Sequence, residues 1–341
     1  MGILRNVAIV GAGGMVGSSI LKALEDTKQY TITILTRSVK EHRFPPTVAV
    51  VEVDYSSFDS LVLALQGQDV LISALSKFAL ASERLLIDAA YTAKVKRLIP
   101  SEFGANLLNL KTRALPNYKH KVEIEERLFE MCQNDKQSCM SYTLVFNNVL
   151  LDWSLFGGLI LDARNREIRK YDDGDTLFST TRISTVGRAV AAILQNYDET
   201  ANRAVYIQDI AITQNELVAI IQDEYIKLLF SDSQAASGSN SGTYDELPTE
   251  GGVSVPFNDL CSQRLVVTHV NTASMEQKAR DDVSKGAPVD TLFYCFAARA
   301  AFCSEYGGYF EHTDNNLLGL KGLCREDLRG VVREALLRST P

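Results

Sequence analysis

Through the first 150 residues, short apolar runs alternate with longer stretches of helical period. Val7-Ala8-Ile9-Val10 is bounded by glycine and has no polar position, the pattern of a strand buried on both faces. Helical periodicity follows from about Gly14, with Ile20, Leu21 and Leu24 on one stripe. Further β-rich runs occur at Thr31–Leu35, Val48–Val53, Val70–Ser73, Val95–Ile99 and Tyr142–Phe146. Helical patterns separate them, for example over Ser82–Thr92 and Lys121–Met131. Strands spaced by helices of this length predict right-handed crossovers and an α/β, doubly wound parallel sheet.

The second half is less regular. Thr185–Leu194 and Gln214–Leu229 read as helices, and Ala204–Ile207 reads as a strand. From Ser231 to Val253 the chain turns rich in Ser, Gly, Asp and Glu, which predicts a flexible surface insertion over 231–258. Leu265-Val266-Val267 resumes as a strand. Helical patterns follow at Thr272–Lys285, Val289–Phe302 and Arg325–Leu337.

Charge and composition narrow the class. The 341 residues are 46% hydrophobic and carry a net charge of −7, with no long basic run, which argues against nucleic acid as partner. The six cysteines form no Cys-x-x-Cys pair, and with four histidines no zinc spacing arises, so no metal is expected. No apolar stretch is long enough to span a bilayer. Met1–Arg5 runs into the first strand without a signal-peptide pattern, so a cytoplasmic setting is the expectation.

The first strand ends in Gly11-Ala12-Gly13-Gly14-Met15-Val16-Gly17. Glycines between a buried strand and a helix let backbone approach a pyrophosphate, and the helix N-terminus offers free N–H groups. Val16 stands where Gly-x-Gly-x-x-Gly requires its last glycine. Gly11-x-x-Gly14-x-x-Gly17 fits instead, the spacing of short-chain-reductase-like Rossmann domains. The second strand ends in Leu35-Thr36-Arg37-Ser38, with Lys40 and Arg43 following. A carboxylate there would accept from the ribose of NAD(H); Arg37, supported by Lys40, is suited to the 2′-phosphate of NADP(H). Asp54-Tyr55, at the end of the third strand, lies where adenine is expected, or Asp54 caps the next helix.

These segments resemble the NmrA-like and isoflavone-reductase-like family of atypical short-chain reductases. The resemblance extends to Thr36-Arg37, Leu71–Ser76, Lys96–Gly104 with its Pro100-Ser101-Glu102-Phe103-Gly104 core, Lys121 with Leu128, Asp152-Trp153, Asp173–Thr176, Ile183–Val190, Thr213–Glu216 and Asn316–Leu320. It covers nearly the whole chain apart from 231–258. It implies an NADP(H)-binding Rossmann-type region over 1–155, with parts of 180–220 packing back on it. A smaller α/β substrate lobe spans 156–341.

The Tyr-x-x-x-Lys pair of ordinary short-chain dehydrogenases is absent: Val122 follows Tyr118 by four and Val95 follows Tyr91 by four. The resemblance makes Lys121 the general acid/base, a role that burial or a nearby cation would tune. Otherwise Lys121 is an exposed lysine pairing with Glu125. Lys119 is a competitor on another helix face. Ser76, Ser101 and Phe103 are expected at the cofactor, at the C-terminal edge of the sheet. Asn147, after the sixth strand, is expected to line the same cleft; the pair Asn147-Asn148 departs from the glycine and aromatic residues common in the family. Trp153, Phe156 and Tyr171 are pocket wall or core. The implied activity is NADPH-dependent reduction of a small phenolic or polyketide-like molecule by a monomer or homodimer. The alternative is an NADP(H)-sensing regulator acting through a protein partner.

Overall fold

In the computed structural model, residues 4–39, 43–76, 82–134, 140–236 and 264–339 are described. Strands β1 (Asn6–Val10), β2 (Thr31–Thr36), β3 (Ala49–Glu52), β4 (Val70–Ser73), β5 (Arg97–Ile99) and β6 (Ser141–Phe146) come first. Then follow β7 (Val149–Leu150), β8 (Leu161–Asp162), β9 (Glu167–Tyr171), β10 (Leu177–Thr181), β11 (Arg203–Tyr206), β12 (Ile210–Thr213) and β13 (Val266–Val270). The main sheet has seven strands in the order β11-β6-β5-β4-β1-β2-β3, and every pairing in it is parallel. This is the doubly wound Rossmann-type arrangement, with the order reversing at β1.

Helices cover both faces. On one, α1 (Met15–Thr27) presents Ile20, Leu21 and Leu24, the stripe its periodicity predicts. It packs with α7 (Ile183–Gln195) over Val7, Ile9, Ile34, Ile72 and Val145. The contact is close because a Cβ on Gly187 would stand 2.4 Å from the Ser19 carbonyl. The other face of the strands, Ala8, Val10, Leu35, Leu71, Leu98 and Leu144, is covered by α2 (Phe58–Leu65), α3 (Glu83–Thr92) and α5 (Lys119–Phe129). Alternate residues of one strand thus belong to different cores, which is why Val7–Val10 carries no polar position.

The short α4 (Leu110–Arg113) leads to a 3₁₀ turn at Pro116–Tyr118 and into α5. Beyond β7 lie α6 (Leu151–Phe156), α8 (Gln214–Ala236), α9 (Thr272–Ser284), α10 (Phe293–Phe302) and α11 (Arg325–Ser339). Two three-stranded sheets, β12-β10-β7 and β13-β9-β8, share a third core with α6, α8 and α11 through Leu155, Phe178, Ile212, Ile221, Leu328 and Val332. Within the segment expected as an insertion, α8 continues to Ala236; residues 237–258 lie outside the described residues. The helix expected over Val289–Phe302 opens as a 3₁₀ turn, Val289–Leu292, before α10.

Candidate functional site

The glycine loop is shaped for a ligand that touches backbone. Gly11 has φ +76°, and a Cβ on it would lie 2.4 Å from the carbonyl oxygen of Ala74, at the end of the neighbouring β4. Gly14 is the N-cap of α1; no side chain caps it, and no acidic residue stands in the first turn. The helix therefore presents free N–H groups and the positive end of its dipole to the space above β1. Gly17 differs from the expectation. It does not line that space but lies under Gly11, whose carbonyl a Cβ would approach to 2.1 Å. It permits close packing of helix on loop rather than contact with a ligand.

Above the loop is a cavity of about 640 Å³. Its wall includes Gly11–Val16, Ile34–Arg37, Phe44, Tyr55, Ala74–Ser76, Ser82, Ser101–Phe103 and Lys121, with Phe293 from α10. Ser76, Ser101, Phe103 and Arg37 are thus brought together as the sequence predicts. A second hollow, of about 590 Å³, shares Arg37, Tyr55 and Ser82 with the first and adds Glu52, Asp54 and Ser56. Asp54 caps no helix: its carboxylate accepts from the Ser56 N–H (2.8 Å) and hydroxyl (2.6 Å), bonds that hold it below its ordinary range, while Ser57 caps α2. Lys40 lies outside the described residues. Arg37 is exposed and forms no salt bridge among the described residues. Tyr55 beside it donates to the Leu35 carbonyl at 2.9 Å, and burial pushes its hydroxyl up to about 12.

Lys121, in the wall of the same cavity, is largely buried, with 15% of its side chain exposed. Its Nζ donates to the backbone carbonyl of Glu102 and lies 3.7 Å from Glu102 Oε2. The expected Lys121–Glu125 alternative does not form, because Glu125 is taken by Arg113 of α4. Lys119 is exposed and, among the described residues, pairs only with Glu123, at 4.0 Å. Glu102, Glu83 and Glu125 are 2%, 1% and 0% exposed. Glu83 Oε1 accepts the Ser101 N–H at 2.8 Å, and the Ser101 hydroxyl donates to the Leu75 carbonyl at 2.7 Å, which fixes the turn after β5. Burial raises all three carboxyls, Glu102 to about 8, against the pull of Lys121 on Glu102 and Glu83 and of Arg113 on Glu125.

The position given to Asn147 is corrected. It is fully buried behind the wall, its amide donating to the Asn148 carbonyl at 3.1 Å, and it does not line the cavity. Asn148 stands at φ +46°, a region that glycine and then asparagine tolerate best, and it donates to the carbonyls of Ser179 and Gly308. The pair is a structural device where the chain leaves β6. Tyr171 is core, stacked on Phe302 at 4.8 Å. Trp153 stacks on Tyr294 at 5.4 Å, and Phe156 borders a separate surface hollow.

Sequence reasoning passed over Phe44, Ser82 and Phe293, named Tyr55 only beside Asp54 near the adenine, and gave Glu102 no role of its own at the ligand edge. Glu102 carried a signal within Pro100–Gly104, because a carboxylate directly after a buried strand of a parallel sheet falls at the ligand edge. Phe293 carried none: about 170 residues separate it from Lys121, and only the fold joins them. Among the described residues no His/Cys/Asp/Glu cluster suited to a metal is present, and no helix is long and apolar enough to cross a membrane.

The model of the NmrA-like family matches residues 5–229. The chain is 34% identical over 219 residues to oxidoreductase aprR of Aspergillus flavus, covering 63% of this chain and 72% of that protein. It is 30% identical to oxidoreductase poxI of Penicillium oxalicum over 215 residues, covering 62% of this chain and 67% of the other. The fold is that of leucoanthocyanidin reductase from Vitis vinifera, solved in binary complex with NADPH. That comparison has a TM-score of 0.65 and 15% identity, over 97% of this chain and 99% of that one.

Proposed function

Because the chain belongs to the NmrA-like family, we propose that it is an NADPH-dependent reductase of the isoflavone-reductase-like type, acting on a small phenolic or polyketide-like molecule. One juxtaposition carries this reading: Lys121 shares a cavity with the glycine loop and Arg37. The relatives named as oxidoreductases support it, as does the likeness to a reductase bound to NADPH.

The lining fits a dinucleotide. Backbone N–H groups of Ala12, Gly13 and Met15 at the uncapped α1 terminus suit the pyrophosphate, and Arg37 suits a 2′-phosphate. Asp54 and Tyr55 border the hollow beside Arg37, where adenine belongs. Ser76, Ser101 and Phe103 share the cavity wall with Lys121 and suit the nicotinamide side. When bound, NADPH supplies the hydride. The chain's own work is to orient it, keep water out, and hold a proton at Lys121 Nζ for the reduced substrate. Phe293 forms part of the cavity wall, edge-on to Tyr118 at 6.3 Å and packed on Tyr294, which stacks on Trp153. Such a wall suits a flat aromatic ring. In this reading residues 1–155 bind the cofactor, helped by α7 and β11, and the later chain supplies the substrate wall.

The test is an NADPH-consumption screen of the full chain against phenolic and polyketide-like enones, imines and carbonyl compounds. Oxidation of NADPH dependent on one of these compounds is the expected result. Silence across the whole panel, with NADPH nonetheless bound, would overturn the reductase reading in favour of a sensor.

A further inference from the structure

We propose that Glu102 is the proton-holding partner of Lys121: its buried carboxyl stores a proton at the cavity wall and passes it to Lys121 Nζ as Lys121 protonates the substrate. The proposal rests on the reductase reading for its purpose, but not for its chemistry. An ammonium has three N–H donors. Lys121 directs one to the Glu102 carbonyl and faces the Glu102 carboxyl at 3.7 Å with another, which leaves one for what the cavity holds. Both residues line the cavity, so the store and the donor meet at the same wall.

Charge balance explains why a proton is held there. Three carboxyls are buried around one lysine: Glu102 after β5, Glu83 on α3 and Glu125 on α5. Arg113 is committed to Glu125 and to Glu126. Lys121 is then left against two carboxyls, Glu83 and Glu102, out of water. Two such anions beside a single cation are costly, and sharing a proton relieves the cost. Glu83 accepts the Ser101 N–H, which favours its anion. Glu102 has no backbone donor among the described residues, and Tyr118 beside it is itself held protonated by burial. The proton therefore resides on Glu102, whose carboxyl burial raises to about 8.

The balance is of protons alone. The N–H bond of Lys121 breaks as the substrate gains a proton. The O–H bond of Glu102 breaks as Lys121 regains one, and water then reprotonates Glu102. No electron passes through either residue.

The direct test needs neither cofactor nor substrate. Infrared difference spectra of the full chain, with carboxyl-labelled glutamate, are recorded as pH is raised. A protonated-carboxyl band present at pH 7 and lost as pH passes about 8 is expected, and Glu102→Gln should remove it. Survival of the band in Glu102→Gln, or its absence from the parent chain at pH 7, overturns the proposal. Should that variant not fold, Glu83→Gln and Glu125→Gln must each keep the band; its loss in either assigns the proton elsewhere. If the screen yields a substrate, kcat of the parent chain falls as pH rises through about 8, where the stored proton is lost. The Glu102→Gln chain has a lower kcat without that limb and an unchanged Kd for NADPH; a limb that persists overturns the relay. Failure of the screen refutes the reductase reading while the infrared band still decides the proton.

Discussion

Lys121→Ala is expected to lower turnover by about 10²–10⁴-fold, the usual contribution of a positioned acid or base, and to leave NADPH affinity largely intact. The side chain is held at the wall by Glu102, which fixes where its remaining N–H is available. The phosphate contacts fall to the loop and Arg37, so removing Lys121 takes away none of them. Single-turnover oxidation of bound NADPH with the best substrate of the screen, beside a titration of NADPH fluorescence, separates the two effects. Retained turnover would move the acid/base elsewhere. Loss of NADPH affinity along with turnover would make Lys121 a binding residue.

Gly11→Ala is expected to impair both folding and cofactor binding. At φ +76° an alanine is strained by about 1–3 kcal/mol. Its Cβ would also stand 2.4 Å from the Ala74 carbonyl, where the yielding atom is backbone, and overpacking of this kind costs about a further 1–3 kcal/mol. The loop after β1 and the loop after β4 are pressed together at this point, so relief on one side moves the other. Urea denaturation of the variant should show the loss of stability, and NADPH titration a loss of affinity beyond it. An alanine variant as stable as the parent, with unaltered affinity, would show that the loop does not require glycine there.

The parallel sheet was legible because it is buried twice over. Strands such as Val7–Val10 and Val70–Ile72 face helices on both sides and carry uninterrupted apolar runs. The later strands hide for the opposite reason. β7 and β8 have two residues each, too few for any period to appear, and β9 reads Glu-Ile-Arg-Lys-Tyr, with only Ile168 and Tyr171 facing the core. The glycine loop and Arg37 stood out through local chemistry at fixed offsets from strands, whereas Lys121 stood out only through the family resemblance. Asn147 misled because position after a strand suggested the cleft, while left-handed backbone at Asn148 turns the pair into the interior. The Lys121–Glu125 spacing likewise suggested a helix-surface pair. It gave way to Arg113, a residue of another element that supplies the nearer cation.

The central claim is that this cavity holds NADP(H) and selects it through Arg37. It is tested most directly by titrating NADPH and NADH separately into the full chain and following cofactor fluorescence. One charge-assisted contact to the 2′-phosphate is worth about 1.5–3 kcal/mol, so NADPH should bind roughly 10–150-fold more tightly, and Arg37→Ala should erase most of that margin. Equal affinity for the two cofactors, or binding of neither, would contradict it.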